Sequence, residues 1–557
     1  MGRPFQSRIP RGRGHHMSLF DARKRDGNAR IGNLKLSDEE SISTPAVIDA
    51  ESVFPSLEER GFTNLPPSAS KAEFGKYFVA GEEPTAVHPQ SESVEGSVLL
   101  FSNWNTVISD ARRHAEYMEK LLAVCPPDAA RYAPACGLPS NVASLIYLGF
   151  DLFDYTAVDL AAVQKKFCTP EGEFDASYME KGICDCPGCK AGDLKLHNRL
   201  ALEKEIALAR VWIEQGQLRE FMEMRCRLHA EQVSLLRHVD RRPGFAVNLP
   251  VVRSSRFLAN SSESMTRAEI AFFEDRVINR FVPGRTDVCV LLPCAARKPY
   301  SLSRSHQLFS RVVDSRAHEV IVTSPLGVVP RELELIYPAG HYDVPVTGYW
   351  DKEESAILVE YLTAYLTKHR YDRVICHLEG GAKEVAKTAA QAAGVELEFT
   401  CNDDKPLSPD SLRALNNALR ESRKRRTDPI RGTLLWQFGE LVDTKGWLTK
   451  GRYPNQKIYE KKTQIFSIDP ETGLLRPTHE GWKYINGYRV WISDGFVPQG
   501  DILAPGIADC DPQIREGDEV FVGGEGYQAT GKTTMGADEM LRANRGIAVR
   551  VRKTNRK

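Results

Sequence analysis

Val288-Cys289-Val290-Leu291-Leu292 is an uninterrupted apolar run, and nothing else in the chain restricts its fold as much. Apolar residues without polar alternation suit a strand buried on both faces, as in a parallel sheet. From Pro293 to His306, fourteen residues then hold a thiol (Cys294), an amine (Lys298), a phenol (Tyr300), three serine hydroxyls (Ser301, Ser303, Ser305) and an imidazole (His306). Gln307 to Val313 reads as a helix. The polar cluster therefore falls in a strand-to-helix loop, the edge at which open α/β sheets bind ligands. On composition alone, the same loop reads equally as a proline-broken connector whose polar groups cap the helix and face water.

The pattern continues downstream. Glu319 to Ser324 and Tyr371 to His377 read as strands, and Ser355 to His369 and Lys383 to Ala393 as helices. This alternation predicts a parallel α/β sheet. The loops Ser324–Pro330 and His377–Gly381 would share the edge that carries Cys294 and His306.

A chain of 557 residues exceeds one core and implies three or four domains. Lys+Arg and Asp+Glu both total 74, so any nucleic-acid contact must come from local clusters of charge. No apolar run reaches the roughly 18 residues of a membrane span. Residues 1–19 are basic without an apolar centre, which predicts a disordered arm and not a secretory signal. Twelve cysteines, several in apolar runs, fit a reducing cytoplasm better than a disulfide framework.

Three of those cysteines have metal-ligand spacing. Cys184-x-Cys186-x2-Cys189 places three thiols in one turn, with Pro187-Gly188 supplying the bend. Such a set suits a tetrahedral ion, zinc in the first place, in a structural role once a fourth protein ligand fills the shell. His197 is the expected fourth ligand, ahead of His229. Left unligated, these thiols would be open to oxidation.

The spacing P-C-x3-K-P-Y-x2-S-x2-H, filled at every position from Pro293 to His306, resembles the signature of the archaeosine synthase family. That family comprises archaeal tRNA-modifying proteins related to the tRNA-guanine transglycosylases. The order C-x-C-x2-C … His197-Asn198 is similar to the transglycosylase zinc site, with a shorter gap. Phe20 to Thr44 resembles the opening strands of the transglycosylase barrel. Gly149-Phe150-Asp151-Leu152-Phe153-Asp154, after the apolar run Ala143–Leu148, resembles the strand end bearing the transglycosylase nucleophile, with Asp154 aligned to it. Read from the residues alone, Asp151 and Asp154 equally cap a helix from Ala157 to Lys166. No D-S-G-G-F-Q-like base-holding segment is present, which argues against base exchange.

Gly500–Ile507, Asp509-x-Asp511, Ile514–Val520 and Ala529–Val549 resemble the PUA domain, a small RNA-binding β-barrel. In its tail, Arg545, Arg550, Arg552 and Lys553 are candidates for phosphate contacts. Gly526 to Thr533 matches the P-loop pattern residue for residue, but too little chain follows for a nucleotide-binding sheet. About Asp404 to Tyr484 resembles the small domain preceding PUA in archaeal transglycosylases, marked by Trp436–Gly439 and Arg452-Tyr453-Pro454.

The resemblance thus implies an α/β multidomain protein. Its parts would be a disordered basic arm (1–19), a degenerate TIM-barrel-like transglycosylase domain with zinc (20–285), a parallel α/β synthase domain (286–403), a small α+β domain (404–484) and a PUA β-barrel (485–557). The implied reaction adds an amine, free lysine or another nitrogen donor, to the nitrile of 7-cyano-7-deazaguanine (preQ0) in the D-loop of archaeal tRNA. Lysine would give an amidine that a radical-SAM partner enzyme cleaves. A second copy of the chain, as a homodimer, is a further expected partner. Cys294 would be the nucleophile, Lys298 its activator, His306 a proton shuttle, and Tyr300 and Ser303 donors to the developing imide. Pro293, Pro299, Asp151 and Asp154 would line the base site. The competing readings are a base-exchange transglycosylase and a non-catalytic tRNA-binding protein.

Overall fold

The computed structural model describes residues 20–37, 39–54, 84–87, 90–102, 107–250, 252–345, 349–401, 403, 405–496 and 498–556. The arm expected at 1–19 lies outside them. Strands β1 (Phe20–Asp26), β2 (Ala29–Lys35) and β3 (Ser41–Thr44) form an antiparallel sheet. Next come β4 (Ala46–Ile48), β5 (Thr85–Val87), β6 (Val98–Phe101), β7 (Ala130–Tyr132) and β8 (Leu152–Asp154), in a parallel sheet of order β4-β8-β7-β6-β5. Leu99, Phe101 and Phe153 pack on the helices Ala111–Val124, Val142–Leu148 and Leu194–Gln215, while Val98, Leu100 and Leu152 pack on the opposite face. Burial on both faces is why these strands read as continuous apolar runs. Five strands of this sheet lie among the described residues, and the eight of a complete barrel do not.

Asp154 ends the strand β8, as expected of a strand end, but the apolar run before it is no strand. The run preceding Gly149 is the helix Val142–Leu148, wholly buried, and the strand is β8 after it. A short run buried all round has no period to separate helix from strand. The hairpin β9 (Lys166–Thr169) and β10 (Gly172–Asp175) follows. The long helical stretch after His197 is three helices, Leu194–Gln215, Leu218–Cys226 and Ala230–Asp240, the first ended by Gly216 in left-handed backbone.

After the short β11 (Phe257–Leu258), the second sheet is built from β12 (Val288–Pro293), β13 (His318–Thr323), β14 (Gly327–Pro330), β16 (Arg373–Cys376) and β17 (Leu397–Phe399). Its order is β14-β13-β12-β16-β17; β14 is antiparallel to β13 and the other pairings are parallel, while β15 (Tyr342–Asp343) pairs with β11. Along β12, Val288, Val290 and Leu292 pack on Phe309 and Val313 of the helix Arg304–Val313. Cys289 and Leu291 face the core shared with the helices Ala268–Asn279 and Lys352–Lys368. The helix Ala268–Asn279, which precedes residue 286, is thus packed with the second sheet through Ile270, Phe273 and Val277.

Strands β18 (Trp447–Arg452), β19 (Asn455–Glu460), β20 (Thr463–Ile468) and β21 (Leu475–Pro477) form an antiparallel meander. The last sheet joins β22 (Arg489–Ile492), β23 (Ile502–Leu503), β24 (Ile507–Cys510), β25 (Glu519–Gly524), β26 (Tyr527–Thr533) and β27 (Ile547–Arg556) in the order β23-β27-β26-β25-β22-β24. Gly531 and Lys532 lie within β26, paired on both sides, so the P-loop match is a strand with no phosphate-cradling loop. The basic C-terminal stretch is β27, not a loose tail. This last domain docks on the first. Arg542 donates to the carbonyls of Leu122 (3.3 Å) and Cys125 (3.2 Å) at the end of the helix Ala111–Val124. The amide of Asn544 donates to Asp128 (3.0 Å), and Arg25 of β1 pairs with Glu539 (2.7 Å). Among the described residues, no helix is long and apolar enough to cross a membrane.

Candidate functional site

The local chemistry is densest at two places. At the first, the ligand atoms of Cys184, Cys186, Cys189 and His197 all lie within 4.8 Å of one another. Cys186 caps the short helix Pro187–Ala191, accepting from the Cys189 amide. Gly188 is needed because a Cβ there would sit 2.3 Å from the His197 nitrogen. His197 turns Nδ1 toward the sulfurs, 3.4 Å from Cys186 and 3.3 Å from Cys189. Its Nε2 lies 3.0 Å from the Cys168 carbonyl, and its ring stacks on Phe167 at 3.8 Å. Donating through Nε2 leaves Nδ1 as the ligand lone pair, the outer-shell arrangement of metal-bound histidines. Asn198 explains the His-Asn dipeptide: it accepts from the Cys168 amide (2.9 Å) and donates to the Lys166 carbonyl (2.9 Å), tying β9 to the helix. The four residues thus form a Cys3His group able to hold a metal ion. His229 lies outside it.

The second place is the carboxyl edge of β12. Pro293 ends the strand and Cys294 follows, half-buried against the core. Burial pushes the Lys298 amine down to about 8, with Cys294 pulling the other way. Lys298 Nζ lies 3.7 Å from the centroid of the Tyr342 ring, within cation–π range. Pro299 precedes a short helical turn, Tyr300–Leu302. Tyr300 and Tyr342 join hydroxyls at 2.6 Å, and Tyr342 meets Thr323 at 2.5 Å. Since the Thr323 hydroxyl donates to the Ser324 carbonyl (3.2 Å), Tyr342 donates to Thr323 and Tyr300 to Tyr342.

Three expected roles change in this geometry. Tyr300 is fully buried and spends its hydroxyl on Tyr342, so it is not a donor to a bound imide. Ser303 is the N-cap of the helix Arg304–Val313, accepting from the His306 amide at 3.2 Å. His306 is fully buried, with Nδ1 2.7 Å from Arg331. Burial first and the Arg331 guanidinium second push it down to about 3, against the pull of the Pro293 carbonyl. The Arg331 guanidinium holds the imidazole lone pair and disfavours its protonation. His306 thus ties the start of the helix Arg304–Val313 to Arg331. Arg331 in turn pairs with Glu319 (2.6 Å) and Glu334 (2.8 Å), and Glu334 accepts from the Ser301 amide (2.9 Å). Thr323, Arg331, Glu319, Glu334 and Tyr342 carry no local signature, because each reaches the loop only through the fold.

Asp151 and Asp154 are both engaged within the first domain. Asp151 is paired with Arg30, a side chain as buried as its own, and also accepts from the Arg131 amide (2.8 Å). Asp154 accepts from the Tyr132 hydroxyl (2.6 Å) and from the amides of Ala135 (2.9 Å) and Thr156 (2.8 Å), the last at the start of the helix Thr156–Val163. In the last domain, Arg552 is bound to Glu519 at 2.5 Å. Arg550 and Lys553 are exposed on β27, and Arg545 is half-buried beside it.

A family described as "Domain of unknown function (DUF5591)" matches residues 270–419, and the PUA domain matches 488–554. The PUA match and the relatives that follow place the chain among tRNA-modifying enzymes. The chain is 34% identical to the archaeosine synthase subunit alpha of Methanosarcina acetivorans, over 96% of this chain and 99% of that protein. It is 33% identical to the archaeosine synthase of Haloferax volcanii, over 96% and 98%. The tRNA-guanine(15) transglycosylase of Methanobrevibacter smithii is more distant, at 24% over 78% and 68%. The chain belongs to the archaeosine synthase family.

Proposed function

We propose that this protein acts in archaeosine biosynthesis, adding an amine to the nitrile of 7-cyano-7-deazaguanine already placed in tRNA. The observation that supports this most is a half-buried Cys294 beside an amine, Lys298, held near neutrality at the carboxyl edge of a parallel sheet. The Cys294 thiolate attacks the nitrile carbon, forming a C–S bond, and the Lys298 ammonium gives its proton to the nitrile nitrogen. The donor amine, free lysine in this reading, then adds to the thioimidate carbon. The C–S bond breaks, the thiolate leaves, and one amine proton returns to Lys298. The product is an amidine, with no net oxidation. A radical-SAM enzyme is the partner that would consume it, and a homodimer is the simplest assembly.

In the same reading the Cys3His group holds zinc in a structural role, since four protein ligands leave no position for substrate. The first domain holds the tRNA and performs no base exchange, because Asp151 and Asp154 are already committed to protein partners. The PUA module, with Arg550 and Lys553 on its last strand, contacts phosphates. The test is incubation with tRNA carrying the cyano-deazaguanine and isotopically labelled lysine, followed by nucleoside mass spectrometry. A nucleoside heavier by one intact lysine is expected. No mass change with lysine, glutamine or ammonia would leave a tRNA-binding protein.

A further inference from the structure

The small domain carries an exposed hairpin, β18–β19, that none of the chemistry above uses. Residues 445–462 contain six cations (Lys445, Lys450, Arg452, Lys457, Lys461 and Lys462) and one carboxylate, Glu460. The pairing register sets Lys450 directly opposite Lys457, with Arg452 opposite Asn455 and Leu448 opposite Tyr459. Residues two apart share a face, so these six side chains form one stripe. Ile458, on the other face, is buried against the small domain's core. Lys450, Arg452 and Lys457 are exposed, Leu448 is 53% exposed, and Lys450 Nζ stands 5.1 Å from the centroid of the Tyr459 ring.

Like charges directly opposite on a ladder destabilise it. Here no carboxylate among the described residues pairs with Lys450, Arg452 or Lys457, whereas Arg552 and Arg331 are neutralised by glutamates. An uncompensated cationic pair flanked by an aromatic ring suits a polyanion that also offers flat bases. The position of the hairpin adds a second reason. At its tip, between Arg452 and Asn455, Tyr453 is tucked inward, its hydroxyl buried without a well-formed hydrogen bond. The polar neighbours of that hydroxyl are Glu334, Ser301 and Arg331, members of the network that holds the reactive loop. The stripe therefore runs outward from the Cys294 loop itself.

We propose that the β18–β19 hairpin is an RNA-backbone rail: Lys450, Arg452 and Lys457 contact phosphates of the bound tRNA and lead it to the reactive loop. This rests on the tRNA reading given above. The test measures binding of the full chain to a fluorescein-labelled archaeal tRNA transcript by anisotropy, across about 50 to about 200 mM salt. The triple variant K450Q/R452Q/K457Q should bind about tenfold more weakly, with a salt slope shallower by roughly one unit per contact removed. The charge-preserving K450R/K457R should keep the parent slope, which separates lost charge from a disturbed hairpin. Unchanged affinity and slope in the triple variant, with the parent binding normally, overturns the rail alone. A parent chain that binds no tRNA overturns the functional reading beneath it.

Discussion

The Cys3His group and the reactive loop differ in how their geometry is encoded. All four candidate ligands fall between Cys184 and His197, so spacing, one glycine and one helix start bring them together. The Cys294 loop is equally compact in sequence, yet the groups that hold it come from 17 to 36 residues beyond His306: Thr323, Arg331, Glu334 and Tyr342. Local spacing can write a metal-type ligand group in full. It can mark the Cys294 loop but not say which of its groups the fold already engages.

The largest test of this contrast is Cys294→Ala. Loss of the nucleophile should lower turnover by about 10³-fold or more while metal content stays unchanged. Full turnover would remove the covalent step and leave direct addition. Cys186→Ser should do the reverse, losing the bound metal and about 4 kcal/mol of stability by denaturant titration, with turnover of the folded fraction preserved.

Arg331→Met attacks the long-range half of the contrast. It leaves Glu319 and Glu334 without their shared cation, at a cost of about 3 kcal/mol. Freed from the guanidinium, His306 should titrate above its present value of about 3, visible in its imidazole NMR signals. If both stability and turnover are unaffected, the loop needs no distant support.

Lys298 gives a smaller effect with a definite sign. With its amine lowered to about 8 by burial, it holds the donated proton below that pH and has lost it above. Turnover should therefore fall about tenfold per unit as pH rises beyond about 8, and Lys298→Met should abolish that limb. The smallest effect is expected from Tyr342→Phe, which cuts the hydroxyl chain between Tyr300 and Thr323 and should cost about 1 kcal/mol in either stability or barrier.

Several elements were legible before the fold was known. The strand at Val288, the helices after His306 and Gly380 and the fourth metal-type ligand follow from run length, caps and spacing, and the terminal β-module follows from its resemblance to the PUA domain. The helix Val142–Leu148 was not, because burial on every side erases its period. The antiparallel β14 was missed because four residues between two prolines look like a loop. The protein partners of Tyr300, Ser303 and His306 were not legible for one shared reason: a sequence names a polar group, but only the packing shows what that group already meets.

The clasp between the last domain and the first has a consequence for the integrity of the particle. Arg542 grips the end of a helix more than four hundred residues earlier, and Arg25 and Glu539 join the two ends of the described chain. Tied at both ends, the string of domains is a closed necklace, and a single cut in a connecting segment leaves the pieces held together. A nicked molecule should travel as one body on a sizing column and separate only when the clasp is opened.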